Sequence, residues 1–553
     1  MNAMRLACLA LALLLAAPAS GQEVTGPRLG AASNMGQGIT PRLTRLATAL
    51  GVRDLRDGLS WTRAEQRAGD IRFDGARLTF PDQMAQMGIA AGIVLNWGNP
   101  LFDDGDTPHT PAAIDAFGGF AAQVATRFPN LDHLEIGNEF NGVNFVRGPL
   151  AEMSPLERAR AYVPLLASAA TQVRAVRPDL RILGGATHSI PAGWLWEVLD
   201  AGGAEHMDAL AIHPYTTPAE QLVRQLAVLR RHPDAARLPI EVTEFGHPDP
   251  ARAAGHFLRN YCQMALGGVT RAVWYPFNER GDGLVPLVAD GGRVTSAGRA
   301  FRLIAERMEG RPVRDAAPDP FTYACRFGGD VTIVWGAPRG LDLPEGVTVL
   351  DAEGAVVTAP ATLSEKEPLV LLHADGAEAI AARTDIAADS YHQFAYPAAN
   401  GDPAPSDGFD RFARRGGTRI DLVTLPGQEA SGTPWFPYLG VPALRPLRLT
   451  AETLVPGGGP ADPVEILHRY VAPVDQVLTL EARFDVPDRS ADGIAVTISL
   501  DGEVLAEASG KDPFDITRNG IALAEGQTLD IAVGPNGTPR GDVIGYRITL
   551  RHE

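Results

Sequence analysis

At 553 residues and roughly 100–200 residues per domain, the chain has room for two to four domains and is too long for a peptide or a single small module. Hydrophobic residues at 45 % and charged residues at 21 % are ordinary for a folded protein, which excludes a disordered or fibrous chain. A formal charge of −17 with no basic run argues against nucleic acid and anionic membrane surfaces as partners.

The elements follow in chain order. Residues 1–22 carry Arg5, an apolar stretch over 6–17 and small residues at 19–21, the layout of a cleaved secretory signal. An exported protein, periplasmic or extracellular, is therefore expected. The stretch is short for a membrane span, and no later segment approaches ~20 uninterrupted apolar residues, so no membrane insertion is expected. Cys8 stands near the start of the apolar stretch and not after it, which argues against a lipid anchor. Two cysteines remain after the signal, Cys262 and Cys325; one disulfide and two separate buried thiols are both open.

From about 29 to 275, short β-rich runs alternate with helix-like stretches. Strands are predicted at 29–34, 54–58, 92–96, 133–138, 181–186, 209–213, 240–243 and 272–274. Helix starts are marked by Thr110-Pro111, by Ser154-Pro155-Leu156-Glu157 and by Thr217-Pro218-Ala219-Glu220, the last two read as a cap, a first-turn proline and a capping-box glutamate. Eight βα units over about 280 residues fit an α/β fold of the (β/α)8 TIM-barrel type. An open doubly wound sheet is the alternative, but no Gly-rich phosphate loop follows the first strand. Helix signals stop near residue 312. A small β-sandwich is expected over 313–376 and a larger C-terminal β-sandwich over 377–553, where Asp501-Gly502, Asn519-Gly520 and Asn536-Gly537 mark tight turns.

In a (β/α)8 barrel the active site collects where the strands end. LEIGNEFN (134–141) places Glu139 just past the fourth strand, and IEVTEFGH (240–247) places Glu244 just past the seventh. Those strands face each other across the barrel mouth, so both carboxyl groups can enter one cleft. Retaining glycoside hydrolysis uses such a pair at about 5–5.5 Å, one as nucleophile and one as acid, then base. Either glutamate alone would read as a solvated loop residue; together they read as a catalytic pair. Among the aromatics, Trp274 is expected to floor a sugar subsite, whereas Trp61 and Trp97 divide between stacking and core packing. Trp194 and Trp196 read as helix-packing residues. Asn34, Asn96 and Asn278 are candidate hydroxyl contacts or simple turn caps. Asp103-Asp104-Gly105-Asp106 lacks the alternation of a calcium loop. No metal and no cofactor are expected.

The order of LRDGLSW (55–61), GIVLNWGNP (92–100), LEIGNEFN, ALAIHPY (209–215), EVTEFGH (241–247) and AVWYPFNE (272–279) resembles the retaining glycosidases of clan A. The chain is most similar to glycoside hydrolase family 39 and related bacterial polysaccharide-processing members, over residues 29–312. The resemblance implies Glu139 as acid/base and Glu244 as nucleophile. It implies Asn138 as a contact to the sugar 2-hydroxyl, Arg56 as the counter-charge of Glu244, Tyr215 as a phenol donor to Glu244, and His213 on the same wall. Chemistry adds an expectation: one carboxyl raised to near ~6 and its partner charged.

The C-terminal region looks similar to non-catalytic, carbohydrate-binding β-sandwich modules. Tyr396, Trp435, Phe436 and Tyr438 either present a sugar platform or fill the sandwich core. The expected partner is a polysaccharide or oligosaccharide substrate, cleaved endo by the reading adopted. An exo-acting glycosidase of xylosidase type, a transglycosylase, and a non-catalytic polysaccharide-binding protein on a barrel scaffold are the alternatives. Oligomeric state and sugar identity are not readable from the sequence.

Overall fold

A computed structural model describes residues 24–38, 41–373, 385–398 and 407–553. The expected signal segment, and the expected junction at 376/377, lie outside these residues. Eight parallel strands close into a barrel: β1 (Arg28–Ala32), β2 (Asp54–Gly58), β3 (Ala90–Leu95), β4 (Leu131–Ile136), β5 (Arg181–His188), β6 (Ala209–His213), β7 (Ile240–Phe245) and β8 (Val269–Trp274). β1 pairs with both β2 and β8, so no edge is left open. Among the described residues, no helix is long and apolar enough to cross a membrane.

Local chemistry explains several helix starts. Thr110 caps Pro111–Arg127 by accepting the Ala113 amide at 3.3 Å. Ser154 and Glu157 form a reciprocal capping box ahead of Pro155–Val176. The expected box at Thr217–Glu220 does not form. Helix Ala219–Leu229 has no side-chain cap, because Thr217 donates to Gln225 at 2.8 Å and Glu220 is buried under tertiary partners. The Glu220 carboxylate accepts from Arg259 (2.6 Å), Trp335 Nε1 (2.7 Å) and Tyr391 OH (2.7 Å). One buried acid thus joins the barrel to both β regions. Three hydrogen bonds at once outweigh what an exposed cap would contribute.

The barrel interior is polar at both ends. Toward the amino ends of the strands, Arg271 on β8 pairs with Asp54 on β2, Asp132 on β4 and Glu241 on β7, and Arg28 reaches Asp54 at 2.8 Å and Asp132 at 2.7 Å. Small residues make room for such groups. A Cβ on Gly92 would lie 2.3 Å from the His133 ring, so only glycine fits beside that imidazole. Buried ion pairs of this kind require nearly complete pairing.

Residues 313–372 form one five-stranded antiparallel sheet. Tyr323, Cys325, Phe327, Ile333 and Trp335 on one face join the barrel core. Ala324, Val334 and Leu371 on the other face cluster with Leu341 and Leu343. Two larger antiparallel sheets follow, of eight and seven strands. They face each other: His468, in strand Asp462–Val471 of one, lies 5.1 Å from Tyr546, in strand Ile544–His552 of the other, centroid to centroid.

Cys262, on helix Ala253–Leu266, is bonded to Cys325 of the five-stranded sheet, across 63 residues of sequence. Closing a loop of that length removes conformational freedom from the unfolded chain worth roughly 4 kcal/mol in the chain-entropy model. The Cys262→Ser/Cys325→Ser variant is expected to unfold several degrees lower by calorimetry under non-reducing conditions, and reductant is expected to destabilise the wild type but not the variant.

Candidate active site

The site is built on Arg56. This residue ends the inward-facing row of β2 and is 5 % exposed. Its guanidinium donates to both Glu135 oxygens (Nε to Oε2 3.0 Å, Nη2 to Oε1 2.5 Å), to Asn138 Oδ1 (3.1 Å) and to Glu244 Oε1. The planar fork suits several oxygens in fixed directions, which a lysine could not match. The Arg56 charges and hydrogen bonds outweigh burial at Glu135 and hold that carboxyl well below the usual range. Glu244 stands near the end of β7, where Tyr215 OH donates to its Oε2 at 2.9 Å.

Glu139 is reached through a tight path. After β4, Gly137 (φ 83°) turns the chain and Glu139 itself sits at φ 50°, a left-handed conformation that a glutamate rarely adopts and that clusters at functional sites. The turn is fastened by Glu139 N to Ala186 O (2.7 Å) and by Asn138 N to Asn96 Oδ1 (2.8 Å). Glu139 Oε1 faces His213 Nδ1 at 3.0 Å and His188 Nδ1 at 3.3 Å. One carboxylate oxygen of each of Glu139 and Glu244 and a ring nitrogen of His213 lie within 4.8 Å of one another.

Charge is arranged differently from the sequence expectation. Burial alone would raise Glu139, but hydrogen bonds and charge from His188 and His213 override it and hold the carboxyl at about 2. Burial likewise disfavours a charged His213; the Glu244 charge and bonds to Glu135 and Glu139 outweigh it and lift the imidazole to about 9. Glu139 is therefore lowered where an acid catalyst is expected to be raised, and the proton beside it rests on His213, whose Nε2 meets Thr243 Oγ1 at 3.0 Å. The Glu139/His213/Glu244 trio also has the composition of a metal site. A protonated imidazole and an arginine already on Glu244 make it a poor one, since metal ligands must be deprotonated.

The cleft beside these groups has a volume of about 400 Å³, and its lining includes Asn138, Glu244, Trp97, Phe145, Tyr275 and Arg280. Trp97 is 46 % exposed and tilts against Phe145 at 5.5 Å, the open placement a stacking residue needs. Trp274 is not a subsite floor. It is fully buried, stacked on Phe257 at 4.4 Å, and donates to Val285 O at 3.0 Å; Arg271 faces inward on β8, so Trp274 three residues on faces the helices. Trp61 is also core, bonded to Glu65 and stacked on Phe102. Asn96 and Asn34 serve the scaffold: Asn96 holds the Asn138 amide, and Asn34 accepts from Asn278 Nδ2 at 2.7 Å. Tyr396 and Tyr438 are buried and donate to Pro437 O and Glu429. Phe436 is half-buried, while Trp435 is 39 % exposed.

Residues absent from the sequence reading are Glu135, His188, Thr243, Asn141, Asp57 and Gln428. Glu135 carried a signal, a charge set between Leu134 and Ile136 near the end of β4. His188 ends β5 as His213 ends β6, but a register shift and a left-handed Ala186 (φ 45°) decide where it faces. Asp57, beside the cleft, is pushed by burial up to about 6 despite bonds from Ser33, Met35 and Gly58.

A model of the glycosyl hydrolase catalytic core matches residues 120–301, which include Glu139 and Glu244. Over those residues the barrel is similar to a glycosyl hydrolase catalytic core, and the enzyme is a glycoside hydrolase. No curated protein matches the chain. Among solved structures, a family 39 glycoside hydrolase from Bacteroides cellulosilyticus WH2 shares the fold at TM-score 0.53 and 18 % identity, over 63 % of this chain and 81 % of that one. A GH39 β-xylosidase from Caulobacter crescentus aligns at TM-score 0.47 and 16 % identity, over 64 % and 98 %. A monomeric β-xylosidase from Caulobacter crescentus CB15 aligns at 0.45 and 14 %, over 93 % and 98 %. This glycoside hydrolase therefore carries its two glutamates inside the matched core, on the barrel face where such folds place their chemistry.

The charge arrangement predicts pH behaviour. In His213→Gln, Glu139 loses one of the two imidazoles that lower it, and the basic limb of kcat/KM, expected toward pH 9 in the wild type, is expected to move down by at least one pH unit. A limb that stays in place would show that His213 does not hold the transferable proton. Stability follows the same group: a folded-state value raised from 6.5 to about 9 gives a contribution complete below pH 6.5 and lost as pH rises through 9. The thermal midpoint is expected to fall across that window, less so in the variant.

Proposed function

We propose that the protein is an exported retaining glycoside hydrolase that cleaves a polysaccharide within the chain. The observation that carries the retaining mechanism is the 4.8 Å limit on the separation of Glu139 and Glu244 oxygens, close to the ~5–5.5 Å of retaining enzymes and short of the ~6.5–9.5 Å that leaves room for an inverting water. Glu244, with a fixed counter-charge at Arg56 and a phenol donor at Tyr215, is the nucleophile. Glu139, with a proton stored beside it on His213, is the acid and then the base. In the first half-reaction Glu244 attacks the anomeric carbon while the Glu139/His213 pair delivers its proton to the departing oxygen. Water, deprotonated by Glu139, then cleaves the glycosyl ester.

Exposed rings on both sides of the carboxyl pair, Trp97 beside Asn138 and Trp435 beside His188, favour a cleft that accepts chain in both directions. Export is supported by the amino-terminal leader and by the Cys262–Cys325 disulfide, since such bonds persist in oxidising compartments.

Purified enzyme is tested on a polysaccharide panel with product sizing and with nuclear magnetic resonance of the first-formed anomer. Oligosaccharide ladders with retained configuration are expected; monosaccharide alone would assign exo action, and inverted product would refute the double displacement. Glu244→Gln and Glu139→Ala are each expected to lower turnover by at least ~10²–10⁴-fold, with azide restoring part of it in Glu139→Ala only.

A further inference from the structure

The loop joining strands Val423–Leu425 and Tyr438–Gly440 leaves the C-terminal sandwich and enters the barrel mouth. Gln428 in that loop is 3 % exposed and held at φ 51°. Its amide clasps Asn141: Asn141 Nδ2 donates to Gln428 Oε1 at 2.8 Å, and Gln428 Nε2 donates to Asn141 O at 3.1 Å. The preceding Gly427 O accepts from Gly193 N at 3.0 Å. Asn141 in turn holds both backbone groups of His188, accepting its N–H and donating to its carbonyl, each at 3.0 Å. The His188 ring faces Glu139. From the same loop, Trp435 meets the His188 ring edge-on at 5.5 Å and 88°, and packs so closely over Gly142 that a Cβ there would lie 3.2 Å from the indole. It still leaves 39 % of its surface open.

We propose that residues 426–437 of the C-terminal region are part of the active site, with Trp435 as the wall on which the departing sugar stacks and Gln428 as a positioning residue acting through Asn141 and His188 on Glu139. The leaving-group side follows from chemistry: the acid carboxyl protonates the departing oxygen, and Trp435 stands on the Glu139 side of the pair. This assignment rests on Glu139 being the acid/base.

The test compares full-length wild type, Trp435→Ala, Trp435→Phe and Gln428→Ala on two substrates. One is an oligosaccharide of the polymer that product sizing identifies, with a sugar on the leaving side; the other is the 2,4-dinitrophenyl glycoside of the same donor, whose leaving group needs neither stacking nor acid. For Trp435→Ala the loss of kcat/KM on the oligosaccharide is expected to exceed that on the aryl glycoside about tenfold, the scale of one aromatic contact, with Phe restoring most of it. Equal losses on both substrates, or none, would overturn the subsite assignment while leaving hydrolysis intact; wild type inert on both would instead remove the glycosidase reading. Gln428→Ala is expected to lower kcat more than it raises KM and to shift the pH profile. A lowered melting temperature with an unmoved profile would make Gln428 merely structural.

A separate observation concerns charge. Arg63, Arg77 and Arg280 line the cleft of Glu244 and Asn138, and none has an ion-pair partner among the described residues. Arg280 is half-buried, donating to Ser33 O at 2.5 Å with its guanidinium 5.2 Å from the Tyr275 ring. Nearby Asp282 instead accepts from the Tyr275 hydroxyl. The acids lining the cleft are Asp57, which accepts from Ser33, Met35 and Gly58 and feels the Arg280 charge without forming an ion pair with it, and Glu244, already on Arg56. In a chain of charge −17, an opening edged by unpaired guanidinium groups selects for carboxylates. We infer that the sugar chain bound on this side carries acid groups, on the same glycosidase reading.

The decisive comparison is an acidic polysaccharide, such as a polyuronate or glucuronoxylan, against its carboxyl-reduced form. Wild type is expected to prefer the acidic polymer, with KM rising with salt. Arg280→Gln is expected to shrink that preference about tenfold to a hundredfold, the scale of a charge-assisted bond. Equal rates on both forms, or a preference untouched in Arg280→Gln, would refute the inference with hydrolysis still standing; no hydrolysis of any polymer would refute the function instead.

Discussion

Everything in the site hangs on one guanidinium. Arg56 lies inside the barrel with three acceptors around it, Glu135, Asn138 and Glu244, drawn from β4, from the turn after β4 and from β7. Remove its charge and two carboxylates share a dry interior, which costs far more than any exposed pair would. In place, the cation sets the distance between opposite walls of the barrel mouth and thereby the gap that a sugar must enter. His213 serves Glu139 in the same way. The cluster thus holds three acids and two fixed or stored cations, and a proton passing from His213 to Glu139 changes no net charge. On the proposed mechanism, that neutrality lets a carboxyl held near 2 by its two imidazole neighbours act as an acid once substrate offers a basic oxygen, with His213 supplying the proton.

The same arrangement explains why this barrel is not filled with branched aliphatics. β2, β4 and β7 carry chemistry near their carboxyl ends at Arg56, Glu135 and Glu244 and ion pairs near their amino ends at Asp54, Asp132 and Glu241, while β5 and β6 contribute a small apolar cluster of Leu183, Ala186, Ala209 and Ala211. The apolar stabilisation lies mainly between the outer faces of the strands and the helices, where Trp61, Trp194 and Trp274 are all buried. A mutation at Arg271 or Asp54 would therefore act on the fold, although both lie in the same barrel interior as the glutamates.

How much was legible in the sequence follows from this geometry. A barrel brings strand ends together whatever their separation, so Glu139 and Glu244 could be gathered from position, whereas Arg56, His213 and Tyr215 came from the resemblance to the clan A glycosidases. Facing direction was harder. Trp274 follows Arg271 by three positions, an odd step that sends it outward, and that parity was readable once Arg271 is known to face in. At β5 the bulge resets the parity, so His188 could not be placed by counting. Thr217 and Glu220 show the reverse failure: a good local signal was overridden by Trp335 and Tyr391, partners more than a hundred residues away. Gln428 left no signal, and Trp435 was readable only as a candidate sugar-platform ring of the C-terminal region, because nothing in a hairpin loop announces which distant surface it will meet.

A binding module on a tether and a module that completes a catalytic centre differ in how many places fix them. The C-terminal region is held at two separated points. At one, Glu220 takes the Tyr391 hydroxyl while Arg224 and Arg231 donate to His392 O and Tyr396 O; at the other, Gln428 grips Asn141 at the barrel mouth. One attachment would leave rotation about it free. Two fix the orientation, and with it the position of Trp435 against His188. The first anchorage is chemically ordinary and distant from the carboxyl pair, yet without it the loop would have to find the mouth at an entropic cost each time. Rigid docking of the sandwich is therefore a condition for the proposed shared active site, in which the face of the C-terminal region that would meet sugar is the one turned toward the glutamates.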